Sequence, residues 1–229
     1  MTTATTSSTA VAGLERFRHI VIEGPIGVGK TSLARRLAQR LGAELLLELP
    51  EENPFLARFY GDMPSYALQT QLFFLFQRLK QMRAAQQPGM FDAAVVADFL
   101  FSKDALFARL TLSDDEFRLY TQMYAQVAPQ VAAPDMVIWL QASPATLMQR
   151  IARRAIPMES SIAPDYLQRL CDAYVEYFHA YDGAPVFAIG TERFNPADGG
   201  ADFELLLERL SAFRGRREFF NSHVEIPFG

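Results

Sequence analysis

The chain has 229 residues, half of them hydrophobic, and a formal net charge of −4. That length suits one large domain or two small ones, and the acidic balance argues against a general nucleic-acid binder, which carries a basic face. Cys171 is the single cysteine and there are three histidines, which excludes an intrachain disulfide and a structural zinc framework and fits a reducing compartment.

The chain opens "MTTATTSSTA", with neither the basic start nor the apolar core of a secretory signal. Residues 1–16 are expected to be a disordered leader. One domain follows over residues 17–213, and residues 214–229 form a tail. No apolar run approaches the ~20 residues that span a bilayer. No membrane partner is expected, and the protein is read as cytoplasmic.

"HIVIE" (residues 19–23) is a short β-branched run ending at glycine, the pattern of a buried strand. Residues 31–41 read as a helix with Leu33, Leu37 and Leu41 on one stripe and Gly42 as its stop. "AELLLEL" (43–49) reads as a second strand that Pro50 breaks. "ENPFLARFY" (52–60) reads as a short helix. Residues 65–87 form a long helix, apolar on several faces and therefore largely buried. Such a helix could also build a homodimer, although periodicity does not separate a dimer face from core.

"AAVVADF" (93–99) is a third strand. Residues 113–127 form a helix opened by a capping box, Ser113 with Glu116. "DMVIWLQA" (135–142) is a fourth strand, and Ser143-Pro144 then starts a helix carrying Arg150, Arg153 and Arg154. A helix over 163–181, a strand over 184–190 and a helix over 203–213 complete the pattern. Alternating strands and helices predict an α/β fold: a five-stranded parallel sheet with helices on both faces. "RGRRE" (214–218) is a basic cluster, most simply a solvated helix end.

The chemistry starts at Gly24-Pro25-Ile26-Gly27-Val28-Gly29-Lys30-Thr31, followed by Ser32. This stretch meets G-x-x-x-x-G-K-[ST] at every fixed position. Its glycines let successive N–H groups curl around a phosphate, and the next helix points its positive end at the anion. Lys30 can reach the outer phosphates and Thr31 can ligate Mg²⁺. A chance match in a chain of this length is roughly 1 in 100 on average composition, so nucleotide binding is expected. Such a loop does not by itself distinguish a kinase from a GTPase or a motor ATPase. No N-K-x-D guanine signature of a GTPase is present, and the short strands with an interrupting acid-rich segment favour a small-molecule kinase over a motor ATPase.

Six stretches at matching spacings, "GPIGVGKT", "ELPEENPFLARFYGD", "YALQTQLFFLFQR", "VVADFLFSKDALFARL", "PDMVIWLQASPATLMQRIARR" and "IAPDYLQRLCDAYVEYF", resemble the deoxynucleoside kinase family over residues 18–189. The likeness is to the bacterial branch acting on deoxyadenosine, deoxyguanosine or deoxycytidine. It implies a P-loop nucleoside-kinase fold with a helical lid, and phosphorylation of a deoxyribonucleoside 5′-hydroxyl by ATP with Mg²⁺. It also implies site residues. Glu48 matches the general base, with Glu51 and Glu52 as nearby competitors. Asp98, ending the third strand, is placed to hold the metal opposite Thr31, or else caps a helix. Gln71, Arg78 and Asp104 match the base-reading set, and Tyr60 and Glu159 the positions that hold the sugar 3′-hydroxyl. Phe74, Phe101 and Phe107 either sandwich the base or are core.

Two arginines that many relatives carry are missing. D-R-S or E-R-S is replaced by Asp98-Phe99-Leu100, and the lid R-x-R by Arg154-Ala155-Ile156. Arg150 and Arg154, four apart on the lid helix, are expected to clamp the phosphates. Lys103 is either a stand-in for the missing strand-end arginine or a solvated surface lysine. Two other readings stay open: a nucleoside-monophosphate (thymidylate-like) kinase, and a weakly catalytic nucleotide-binding regulatory protein.

Overall fold

The computed structural model describes residues 13–85 and 94–221. Its strands are β1 (His19–Glu23), β2 (Glu44–Leu46), β3 (Val95–Ala97), β4 (Met136–Gln141), β5 (Val186–Gly190) and β6 (Arg217–Phe220). They form one sheet in the order β2-β3-β1-β4-β5-β6, parallel throughout. The expected five-stranded parallel sheet is therefore corrected to six. Strand β6 escapes pattern reading because it is an edge strand: Arg217 and Phe219 are exposed, Glu218 and Phe220 are half-buried, and Phe220 packs near Phe194 and Phe187. Without a second covered face no continuous apolar run is required of it.

Helices cover the sheet: α1 (Lys30–Leu41), α2 (Leu56–Gly61), α3 (Met63–Ala85), α4 (Asp104–Thr111), α5 (Asp114–Val127), α6 (Pro144–Arg154), α7 (Pro164–Ala180) and α8 (Gly200–Ala212). Gly42 ends α1 in the left-handed conformation, its N–H turned back to the carbonyls of Ala38 and Gln39. The Ser113–Glu116 capping box opens α5 as expected. Helix α4 carries no advance signal; eight residues following a 3₁₀ turn are too few to show a period. No described helix is long and apolar enough to cross a membrane.

The ends of the domain also differ from expectation. Residues 1–12 of the expected leader lie outside the described residues. Residues 13–16 form a turn in which Leu14 is 1% exposed and Arg16 donates to the Ser211 carbonyl at 3.3 Å. At the other end, "RGRRE" is not a free helix end. Arg217 donates to the Phe178 carbonyl at 2.5 Å and Arg216 to that of Asp182 at 2.6 Å. Arg217 thus satisfies a last-turn carbonyl that α7 leaves without a helical partner, and Arg216 one in the loop that follows.

Strand β2 is shorter than the run that predicted it, and this shapes the site. Past Leu46 the backbone leaves the ladder and is held by side chains. Asp98 accepts the Glu48 N–H at 2.7 Å, Gln81 donates to the Leu47 carbonyl at 2.8 Å, and Gln77 to that of Leu49 at 3.1 Å. Glu48 consequently stands beyond the sheet. Central β1 lies between β3 and β4, where the chain's course across the sheet reverses. The crevice beyond the strand ends at such a switch point is where ligands bind in open α/β sheets.

Candidate active site

Gly24 to Thr31 link β1 to α1 across that crevice. Gly24 has φ +150°, and a Cβ there would lie 2.4 Å from the Leu140 carbonyl; Gly27 has φ +85°, and its Cβ would meet Ile151 at 2.9 Å. Gly24→Ala should therefore lower unfolding stability by about 3 kcal/mol, read by denaturant titration. Helix α1 has no side-chain cap at Gly29, so no side-chain oxygen occupies its N-terminus, an arrangement suited to an anion. Lys30 Nζ donates to the carbonyls of Gly24 (2.7 Å) and Pro25 (3.1 Å). Burial lowers its pKa, and the Lys103 charge adds to that. Ile26, Gly27, Gly29, Lys30, Thr31 and Ser32 line a cavity of about 180 Å³. Gly24, Pro25 and Val28 form the loop's supporting side; Val28 is buried in the core.

The same cavity contains the acids. The Thr31 hydroxyl donates to Asp98 Oδ2 at 2.5 Å, bringing together two hard oxygen donors of the kind Mg²⁺ selects. Burial raises the Asp98 pKa against its hydrogen bonds from Thr31 and the Glu48 N–H. Glu48 accepts from Arg78 Nε at 2.8 Å and from its Nη2, and lies 3.8 Å from Lys103 Nζ. Burial alone would raise this carboxyl. The charges of Arg78 and Lys103, with the Arg78 hydrogen bonds and Lys30, overcome it and bring the pKa down to about 2. Such a depressed carboxyl stabilises the fold above its unfolded value near 4.5 and loses that contribution as pH falls toward about 2. The stability of the native protein relative to Glu48→Gln should thus be flat from neutral pH to about 5 and shrink below it, in thermal denaturation at stepped pH.

Much of the rest of the cavity wall comes from α2, α3, α4, the end of α6 and the segment after it. Tyr60, Gln71, Phe74, Arg78, Phe107, Arg154 and Glu159 all line the cavity. Tyr60 packs edge-on to Tyr166 at 6.5 Å, and burial, with Tyr166 and Glu159 nearby, pushes its phenol well up. Arg154 Nε donates to Glu159 Oε2 at 2.7 Å. Asp104 is fully buried behind Arg78, ion-paired to its Nη1, and does not line the cavity. Phe101 belongs to a separate cluster with Leu75, Leu79 and Tyr120. Glu51 and Glu52 are exposed and outside the cavity, unlike Glu48.

Two expectations are corrected here. Arg150 does not converge with Arg154. It turns to the end of β5, donating to the Thr191 hydroxyl at 2.9 Å and to the Thr191 carbonyl at 2.5 Å, because that backbone edge offers acceptors within reach of the α6 face. Lys103 is not a solvated surface lysine. It is 2% exposed and lines the cavity, with Nζ 3.3 Å from Glu23 Oε1.

Glu23 and Thr111 carry no motif in the sequence. Glu23 is the last residue of the apolar run 19–23, and a carboxylate on a strand flanked on both sides is the signal that marks it. The Thr111 hydroxyl donates to the Phe107 carbonyl at 2.7 Å, so it is left to accept from Gln71 Nε2 at 3.3 Å. This fixes which way the Gln71 amide faces.

The family model described as "Deoxynucleoside kinase" matches residues 20–213. The chain belongs to the deoxynucleoside kinase family. It is accordingly a phosphotransferase. A deoxyguanosine kinase of Bacillus subtilis strain 168 is 36% identical over 156 residues, 68% of this chain and 75% of that protein. A deoxyadenosine kinase of Dictyostelium discoideum is 30% identical over 215 residues, 92% of this chain and 85% of that one. Among solved structures, a deoxyadenosine kinase from M. mycoides with the products dCMP and a flexible dCDP superposes with a TM-score of 0.72 at 25% identity. It covers 85% of this chain and 99% of its own.

Proposed function

We propose that this deoxynucleoside kinase transfers the γ-phosphoryl group of ATP to the 5′-hydroxyl of a purine deoxynucleoside or deoxycytidine. The observation that carries this reading is one cavity lined by Lys30, Thr31 and Glu48 together with Tyr60, Gln71 and Glu159. The activities of the related kinases point the same way.

In this reading the loop amides and Lys30 hold the donor phosphates. Glu48 takes the 5′-hydroxyl proton. A carboxylate with a pKa of about 2 is a weak base, which suits a loose transition state in which the alcohol becomes acidic only as its oxygen bonds to phosphorus. Lys103 faces the same region in place of the absent arginine, and Arg154 approaches from the lid. Arg150 acts at the β5 edge. Gln71 reads the base with the amide orientation set by Thr111, and Arg78 with Asp104 fixes Glu48 and the helix behind the base. Tyr60 and Glu159 hold the 3′-hydroxyl. Thr31 and Asp98 would hold Mg²⁺, which when bound neutralises charge on the transferring phosphates. A homodimer packed through α3, where Phe76 is half exposed, belongs to the same proposal; light scattering tests it.

The deciding experiment offers the four deoxyribonucleosides and dTMP with ATP and Mg²⁺, following monophosphate and ADP. Turnover of at least one nucleoside supports the proposal and names the base. Turnover of dTMP alone would make the protein a monophosphate kinase. ATP binding without transfer to any acceptor would make it a regulatory nucleotide binder.

A further inference from the structure

We propose that Glu23 is the positioning residue of the catalytic cation, holding the Lys103 ammonium between the phosphate loop and Glu48. This rests on the reading of Lys103 as the group that replaces the absent arginine, and extends it to a residue that does not line the cavity.

Glu23 is the last residue of the central strand and is fully buried. A carboxylate there needs partners, and each of its oxygens has them. Oε1 accepts the Gly24 N–H at 2.8 Å, the Tyr174 hydroxyl at 2.9 Å and Lys103 Nζ at 3.3 Å; Oε2 accepts the Leu100 N–H at 2.7 Å. One side chain thus ties the first residue of the phosphate loop to the segment after β3, where relatives carry the arginine, and to the lysine that follows it. Lys103 Nζ also lies 5.3 Å from the centre of the Phe107 ring, so its remaining surroundings include an aromatic face.

Glu48 is no substitute as the counter-charge. It is shared with Arg78, and it becomes neutral in the step where the cation is needed, when the 5′-hydroxyl proton moves onto it. Glu23 receives no proton in that step. Two backbone amides and a tyrosine hydroxyl keep it an acceptor, so it remains an anion while charge develops on the transferring phosphoryl group. The groups facing Lys103 are Glu23 from β1, Lys30 from α1, Glu48 from beyond β2, Phe107 from α4 and Tyr174 from α7. Lys30 is a like charge. With Glu23 neutralised, the buried Lys103 ammonium would face Lys30 without its nearest counter-charge.

The test measures kcat and KM in the full chain for Lys103→Ala, Glu23→Gln and Glu23→Asp, and for each Glu23 substitution combined with Lys103→Ala. In Glu23→Gln, kcat should fall by about 10- to 100-fold with KM for ATP within a few-fold, whereas in the Lys103→Ala background the same substitution should lower kcat by less than about 3-fold, because Glu23 then has no cation to position. Folded Glu23→Gln with kcat unmoved would overturn the inference, as would an equal loss of kcat in the Lys103→Ala background, which marks a merely structural role. Should Glu23→Gln fail to fold, Glu23→Asp draws the charge back by one methylene. A smaller fall in kcat, absent without Lys103, is then expected, and a folded Asp variant with kcat unmoved overturns the inference. Undiminished kcat in Lys103→Ala would instead sink the reading of Lys103 itself, whatever Glu23 does.

Discussion

Replacing Glu48 by glutamine lowers kcat by about 10²- to 10⁴-fold, the range for removing a positioned general base, while ATP affinity stays within a few-fold. The side chain lines the same cavity as Lys30 and Thr31 of the glycine loop and as Tyr60, Gln71 and Glu159. Its amide isostere keeps the shape and one acceptor for Arg78 but cannot take a proton. The fold tolerates the change because Arg78 keeps its second carboxylate, Asp104. Steady-state kinetics with the best deoxyribonucleoside, alongside nucleotide titration, checks the split. An equal fall in ATP affinity would mean that Glu48 organises the phosphate loop instead of accepting the proton.

Lys103→Ala lowers kcat by about 10²- to 10³-fold, the typical effect of deleting one preorganised charge aimed at a transition state. Lys103→Arg recovers part of it. The truncation also leaves Glu23 fully buried without its cation, and breaking a buried pair costs roughly 3–5 kcal/mol. Thermal denaturation must therefore accompany the assay, with kcat taken at a temperature where the variant is folded. A folded Lys103→Ala enzyme with undiminished turnover would return the missing-arginine role to Arg154 or to Lys30.

Much of this site is legible from residue order because its constraints are local. The glycines at 24 and 27 need backbone conformations and clearances that no side chain permits, and Lys30 and Thr31 follow at fixed offsets on one helical turn. Gln71 and Arg78 share a face of α3 because seven residues make nearly two turns. Residues such as Arg150 and Lys103 were not legible in the same way. Arg150 and Arg154 do share a helix face, yet one reaches the Thr191 backbone and the other Glu159; long side chains choose partners by what the neighbouring elements offer. Lys103 gives no sign of burial in its own neighbourhood, since the carboxylate that pairs with it lies 80 residues earlier.

The sequence by itself determined an α/β architecture with parallel strands, a phosphate-binding loop between the first strand and the first helix, and the kinship that names the reaction class. The first two follow from short-range periodicity and from spacing within a few residues, and the kinship from the resemblance of six stretches over residues 18–189. Only the tertiary structure decided the sixth strand, which is defined by pairing to β5 and not by its own pattern. It alone decided the early exit of Glu48 from β2, which depends on Asp98, Gln77 and Gln81 capturing that backbone. It alone brought Glu23, Lys103 and Tyr174 together, because a buried charge is placed by partners on other elements, and those partners are set by how the layers pack.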